Sequence, residues 1–194
     1  MPGNVARERA RVKSADPRRR DRGGVVTNDA ALAERVRELR QYGWKARYIS
    51  DSAGMNSRLD ELQAAILRVK LRTLRANNAR RRSLAALYTS GLAGSGLTPP
   101  PVRSGIEHAF HQYVIRAPRR DELLAALVAR GIPAAIHYPQ AVHTQPGYAG
   151  RIAVGAGGLP ETARACREIL SLPLHPHLGE EAVRHVLSQL HELG

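Results

Sequence analysis

Residues 57–92, SRLDELQAAILRVKLRTLRANNARRRSLAALYTSGL, constrain the fold of this chain more than any other stretch. The spacing predicts a helix of about 30 residues from Arg58, with a bend near Asn77 and Asn78. Leu59, Leu62, Ile66 and Val69 form one apolar stripe, and Leu67, Leu71 and Leu74 form a second. A surface helix needs one such stripe, so a helix with two is expected to lie between two bodies.

The second body is expected after Gly94–Gly105, GSGLTPPPVRSG, whose glycines and three consecutive prolines favour extended structure and mark a domain boundary. Beyond it the patterns read strand FHQYVIR, helix RDELLAALVARG, strand PAAIHY, a long loop to Gly158, helix ETARACREIL, strand SLPL and a final helix from Glu180. Helices alternating with short strands suggest a layered α/β unit. Before the long helix, Val25–Thr27 reads as a short buried strand. Asn28 or Asp29 can cap the helix AALAERVRELRQYG, which Gly43 ends. The expected organisation is a basic, disordered arm over 1–22, a first body with the long helix over 23–95, and a small α/β domain over 96–194.

Charge raises nucleic acid as a partner, because the chain carries +13. The arm alone contributes eight Lys or Arg against three Asp or Glu. Arg68, Arg72, Arg75 and Arg82 recur at helical spacing, but no aromatic residue interleaves with them, so the stacking platforms of single-strand binders are missing and the stripe reads as a solvated face. The single cysteine, Cys166, allows no intramolecular disulfide, and no apolar run approaches a membrane span. A reduced, cytoplasmic protein with no membrane partner is expected.

Three stretches could carry chemistry. In GMNSRLDELQAAIL, Asn56 and Ser57 can cap a helix, and Arg58 then falls in the first turn, where a cation is poorly placed unless an anion sits nearby. Helix-start amides with an arginine suit phosphate; the alternative is that Asn56 is only a cap and Arg58 pairs with Glu61 or Glu34. In IHYPQAVHTQPGYAG, a proline-shaped loop presents His137, Tyr138, His143 and Gln145, a set that can bind hydroxyl-rich or phosphorylated ligands or simply satisfy itself. His175 and His177 in LPLHPHLG, with His137 and His143, have no Asp, Glu or Cys within either cluster, so no metal site is expected.

GGVVTND, RELRQYG, GMNSRLDELQAAIL, HAFHQYVIR, RDELLAALVARGI, IHYPQAVHTQPGY and LPETARACREILSLPLHPHLGEE, in this order, resemble the DegT/DnrJ/EryC1/StrS sugar aminotransferases, which use pyridoxal phosphate (PLP). The resemblance runs from about Asp21 to the C-terminus. It implies an α/β fold of the aspartate-aminotransferase type (fold type I PLP transferase), truncated to the end of the large domain, the long connecting helix and the small C-terminal domain. It also implies transfer of an amino group, commonly from glutamate, to a nucleotide-linked keto-deoxysugar in amino-sugar biosynthesis, by a homodimer.

By the same resemblance, Asn56 reaches the PLP phosphate of the opposite subunit, Arg58 supports it, and His137, Tyr138, His143 and Gln145 face the sugar nucleotide. The Schiff-base lysine of the family lies upstream of a turn like Asp21-Arg22-Gly23. Ser14 stands at its place with Lys13 beside it, so Lys13 is a weak catalytic candidate and this chain alone is expected to be inactive. A partner subunit completing another chain's site and a basic nucleic-acid-binding protein are the alternatives.

Overall fold

The computed structural model describes residues 25–193. The arm and Lys13 lie outside the described residues. The chain divides into two compact units between Lys70 and Leu71, and each is described by itself.

In the first unit, α1 (Ala30–Leu39) starts at Asp29, whose Oδ1 accepts from the Ala31 and Leu32 amides at 2.9 and 3.1 Å. Such a cap pairs amides that the first turn leaves without helical partners. A tight turn follows, with Tyr42 and Gly43 at φ 62° and 74°. A Cβ on Gly43 would overlap the Ser52 carbonyl, and one on Gly54 would overlap the Gly43 amide, so both glycines answer to close backbone approach. The short antiparallel hairpin β1 (Trp44–Ala46) and β2 (Ile49–Ser50) carries a register shift. Met55 and Ser57 amides then bond back to the Leu39 and Arg40 carbonyls at 2.8 and 2.9 Å. The next helix, α2 (Glu61–Leu71), buries none of its residues.

The second unit holds the core. Here α3 (Leu74–Gly91) supplies Leu84, Ala85 and Tyr88. Strands β3 (Tyr113–Arg116) and β4 (Ile169–Leu172) pair antiparallel, with Tyr113 opposite Leu172 and Arg116 opposite Ile169. Single bridges extend this pair at both edges, Thr98 to Arg116 and Ala135 to Ser171. Tyr113, Ile115, Leu170 and Leu172 enter the core, while their neighbours Val114 and Ser171, directly opposite each other, share the other face. Helix α4 (Arg120–Ala129) packs on β4 and on α6 (Glu180–Leu193), α6 packs on α3, and α5 (Pro160–Glu168) packs on β3. Val183, Val186, Leu187 and Leu190 of α6 recur at helical spacing and close the core.

Several expectations change here. The 58–92 helix is two helices. Thr73 lies between them with φ −104° and ψ −1°, and the Asn77 amide donates to its hydroxyl at 3.3 Å, so the asparagines mark the start of α3 instead of a bend within one helix. The division at Lys70 precedes the proline stretch because α3 contributes to the same core as β3, β4 and α6. Thr98 within that stretch pairs with β3 and so belongs to the sheet edge. Val25–Thr27 forms no strand, and Val25 and Val26 are exposed, because no described segment pairs with them. The PAAIHY strand shrinks to the Ala135 bridge, and SLPL shifts to Ile169–Leu172, since Pro173 has no amide to offer a ladder.

Candidate functional site

The phosphate-site reading of GMNSRLDE depends on where the helix begins, and α2 begins at Glu61. Asp60 is the residue that receives its first amides: Oδ1 accepts from Leu62 at 3.0 Å and from Gln63 at 3.4 Å. A carboxylate therefore already occupies the positive end of α2. Asn56 sits five residues earlier as an exposed residue bridged through its backbone to Gln41. Its side-chain amide makes no hydrogen bond within the described residues, and it caps nothing.

Arg58 likewise lies outside the first turn. It pairs with neither Glu61 nor Glu34. Its guanidinium lies over the Tyr42 ring at 5.5 Å and the Trp44 ring at 5.6 Å, a geometry in which the ring quadrupole attracts the cation. Tyr42, Trp44 and Tyr48 lie in succession, Tyr42 tilted against Trp44 at 5.3 Å between centroids and Trp44 edge-on to Tyr48 at 5.2 Å, and Arg47 lies 4.9 Å over Tyr48. Tyr48 also has positive φ, at 70°, so two of the three rings sit on a left-handed backbone that bulky residues seldom adopt. This exposed aromatic and arginine assembly escaped sequence reasoning, although WKARY held the signal: aromatics and cations interleaved on a hairpin.

In the second unit, the loop after Ala135 carries the other candidates. Reciprocal backbone bonds between Ala135 and Ser171, 3.1 and 2.8 Å, fix the start of the loop to β4. Two residues on, the His137 Nδ1 lies 2.9 Å from the Ser171 Oγ. Tyr138 takes φ 68° and is 69% exposed. Buried Ala141 anchors the middle of the loop, a 3₁₀ turn spans Val142–Thr144, and the Gln140 amide spans it to the Thr144 carbonyl at 2.7 Å. His143 is half-buried in that turn. Gln145 receives the Tyr148 and Ala149 amides on its carbonyl, both at 2.9 Å, and its side-chain amide stays unbonded within the described residues. The loop thus holds its backbone with its own polar groups and leaves several side-chain groups available to a ligand.

His175 and His177 have ring centroids 6.5 Å apart, and among the described residues no group of three His, Cys, Asp or Glu is placed to hold a metal ion. Three arginines of α3 are engaged, beginning with Arg80, paired with Glu180 at 2.9 Å, and Arg82, paired with Glu107 at 3.7 Å. Arg81 donates to the carbonyls of Phe110, His111 and Leu174 at 3.3, 3.4 and 3.2 Å. Desolvation lowers the pKa of Arg81. It ties the entry of β3 to the exit of β4, a role that nothing in the run RRR distinguishes from a solvated charge.

Comparison with known proteins gives one consistent result. The model of the DegT/DnrJ/EryC1/StrS aminotransferase family matches residues 20–191. The dTDP-3-amino-3,4,6-trideoxy-α-D-glucose transaminase of Streptomyces venezuelae is 46% identical over 173 residues, covering 89% of this chain and 45% of that protein. The erythromycin biosynthesis sensory transduction protein EryC1 of Saccharopolyspora erythraea is 46% identical, over 88% of this chain and 46% of its own length. Among solved structures, S. venezuelae DesV in complex with a ketimine intermediate superposes with a TM-score of 0.81 at 45% identity, over 87% of this chain and 45% of that one. An aminotransferase from Brucella abortus gives 0.81 at 35% identity, over 86% and 44%. The chain spans about half the length of the curated relatives it matches, and its mixed α/β architecture is that of the fold type I sugar aminotransferases. By sequence and by fold, the chain belongs to the DegT/DnrJ/EryC1/StrS aminotransferase family.

Proposed function

We propose that this chain serves as the C-terminal part of a PLP-dependent aminotransferase that converts a nucleotide-linked keto-deoxysugar to its amino sugar, with glutamate as donor, in the cytoplasm. The observation that carries the reading is the 46% identity to a transaminase named for a dTDP-linked amino-trideoxyglucose. Related transaminases act on other nucleotide sugars, among them one named for dTDP-3-amino-3,6-dideoxy-α-D-galactopyranose, at 37% identity. The sugar class is therefore shared more widely than the particular sugar.

PLP would supply the electron sink for the amino transfer. The described residues fit one edge of its site only. Asn56 offers an exposed amide to a phosphate, but the α2 amides of Leu62 and Gln63 are taken by Asp60. Of the described lysines, Lys45 pairs with Asp51 at 3.2 Å, and Lys70 belongs to α2. Asn56 is assigned to the PLP phosphate in a homodimer, Arg58 to its support, and His137, Tyr138, His143 and Gln145 to the sugar nucleotide, whose many acceptors suit imidazole, phenol and amide donors.

The test is a hybrid enzyme. Residues 20–191 replace the matching part of the S. venezuelae transaminase, and amination of its dTDP-keto sugar is followed with glutamate and PLP. Retained turnover supports the reading. A hybrid that folds and binds PLP, yet aminates no nucleotide-linked sugar, would sink it.

A further inference from the structure

Ser171 is a hydroxyl in a position where β4 otherwise places Ile169, Leu170 and Leu172. It is 6% exposed, and its hydroxyl has one hydrogen-bond partner among the described residues, the His137 Nδ1 at 2.9 Å. Burying a hydroxyl without a partner is unfavourable. Were Nδ1 to donate, the buried hydroxyl proton would be left without an acceptor, so the arrangement that pairs it has the hydroxyl donating to Nδ1. A neutral imidazole that accepts at Nδ1 must carry its own proton at Nε2.

We propose that Ser171 is a positioning residue that fixes His137 as the Nε2–H tautomer, making the imidazole a fixed hydrogen-bond donor toward an oxygen-rich ligand, a phosphate or sugar oxygen. Three structural features support this. The paired backbones of Ala135 and Ser171 set the distance between the strand and the imidazole. His137 is exposed, so the nitrogen opposite Ser171 is accessible. Tyr138, immediately after it, leaves the strand direction through a left-handed backbone, so the chain turns away from the ring at once. The arrangement follows the logic of histidines whose second nitrogen is held by a polar neighbour so that the first presents a defined role. The ligand side rests on the function proposed above; the tautomer does not.

The experiment uses the full chain with ¹⁵N-labelled histidine, and long-range ¹H–¹⁵N spectra assign the protonated ring nitrogen. His137→Gln identifies the signals. The parent is expected to show His137 with the proton on Nε2. Ser171→Ala should lose that bias and give averaged nitrogen shifts, while Ser171→Thr, which keeps a hydroxyl, should restore it. A His137 protonated at Nδ1 in the parent, or the same shifts in parent and Ser171→Ala, overturns the inference. Unchanged amide dispersion across the variants excludes misfolding as the cause. A second arm adds dTDP. If the tautomer behaves as expected and the Nε2 signal moves with dTDP, both parts stand. If the tautomer behaves as expected but saturating dTDP leaves Nε2 unmoved, the ligand-donor role is overturned while the positioning by Ser171 holds.

Discussion

Replacing Tyr88 with phenylalanine tests whether the core of the second unit depends on its polar contacts as well as its apolar ones. Tyr88 is fully buried, stacks on Tyr113 at 5.0 Å, and donates to the Pro173 carbonyl at 3.0 Å. The Tyr113 and Thr89 hydroxyls are hydrogen-bonded to each other at 2.8 Å. Tyr88→Phe keeps the ring and removes one donor. The lost bond and the half-buried carbonyl left behind should cost about 1–2 kcal/mol. Tyr88→Ala removes the ring as well, and should cost about 3–5 kcal/mol for the cavity and lost transfer, plus roughly 1 for the stack. Urea denaturation of the full chain reads both as falls in midpoint at constant slope.

The same pair gives a pH arm. Burial raises the phenol pKa of Tyr88, and the neighbouring Tyr113 raises it further; burial raises that of Tyr113, partly opposed by its bond to Thr89. The fold thus favours neutral phenols. The stabilisation is fully present below the unfolded tyrosine value of about 10 and is lost as pH rises above it. Tyr88→Phe should flatten that fall. A Tyr88→Phe variant as stable as the parent, with an unchanged alkaline limb, would refute the reasoning.

Arg81→Met keeps the aliphatic stem but leaves the Phe110, His111 and Leu174 carbonyls without their shared donor, so the chain should lose about 2 kcal/mol in urea titrations. Asp60→Ala removes the cap of α2 and should lower stability by about 1 kcal/mol, with faster amide exchange confined to its first turn. In the hybrid enzyme, Asn56→Ala should weaken PLP retention in an equilibrium dialysis assay while leaving the KM for the sugar nucleotide in place. His143→Ala should raise that KM and spare PLP, and the opposite pattern would exchange the two assignments.

What was legible in the sequence was local. Helices α4, α5 and α6 follow from period and from their starts, such as Pro160 in the first turn of α5 and Glu180 and Glu181 at the head of α6. The end of α1 was legible only in part: Gly43 marks the tight turn, but the helix stops earlier, at Leu39, because Gln41 already bridges to Asn56. The break at Thr73 was not, because leucines continue at helical spacing on both sides of it and propensity alone rarely decides a junction. The cap of α2 was misassigned for a related reason. Asn56, Ser57 and Asp60 are all good caps, and the choice fell to Asp60 because residues 55–57 are committed to backbone bonds with Leu39, Arg40 and Tyr42. Those bonds join residues 13 to 17 apart, and no local pattern records them.

The candidate site divides along the same line. His137, Tyr138, His143 and Gln145 stand out from composition, since a loop this rich in donors between prolines invites a binding role. What fixes His137 is Ser171, 34 residues later on the opposite strand, and the sequence ILSL offers only a serine interrupting an apolar run. Its face follows once β3 and β4 pair, because Val114 and Ser171 then stand opposite each other, away from the core that Ile115 and Leu170 enter. A buried strand whose one hydroxyl faces away from the core has a reason for that hydroxyl outside the core. In this chain that reason is an imidazole delivered by the Ala135 bridge, so the strand that completes the hydrophobic interior is also the one that holds the start of the His137 loop.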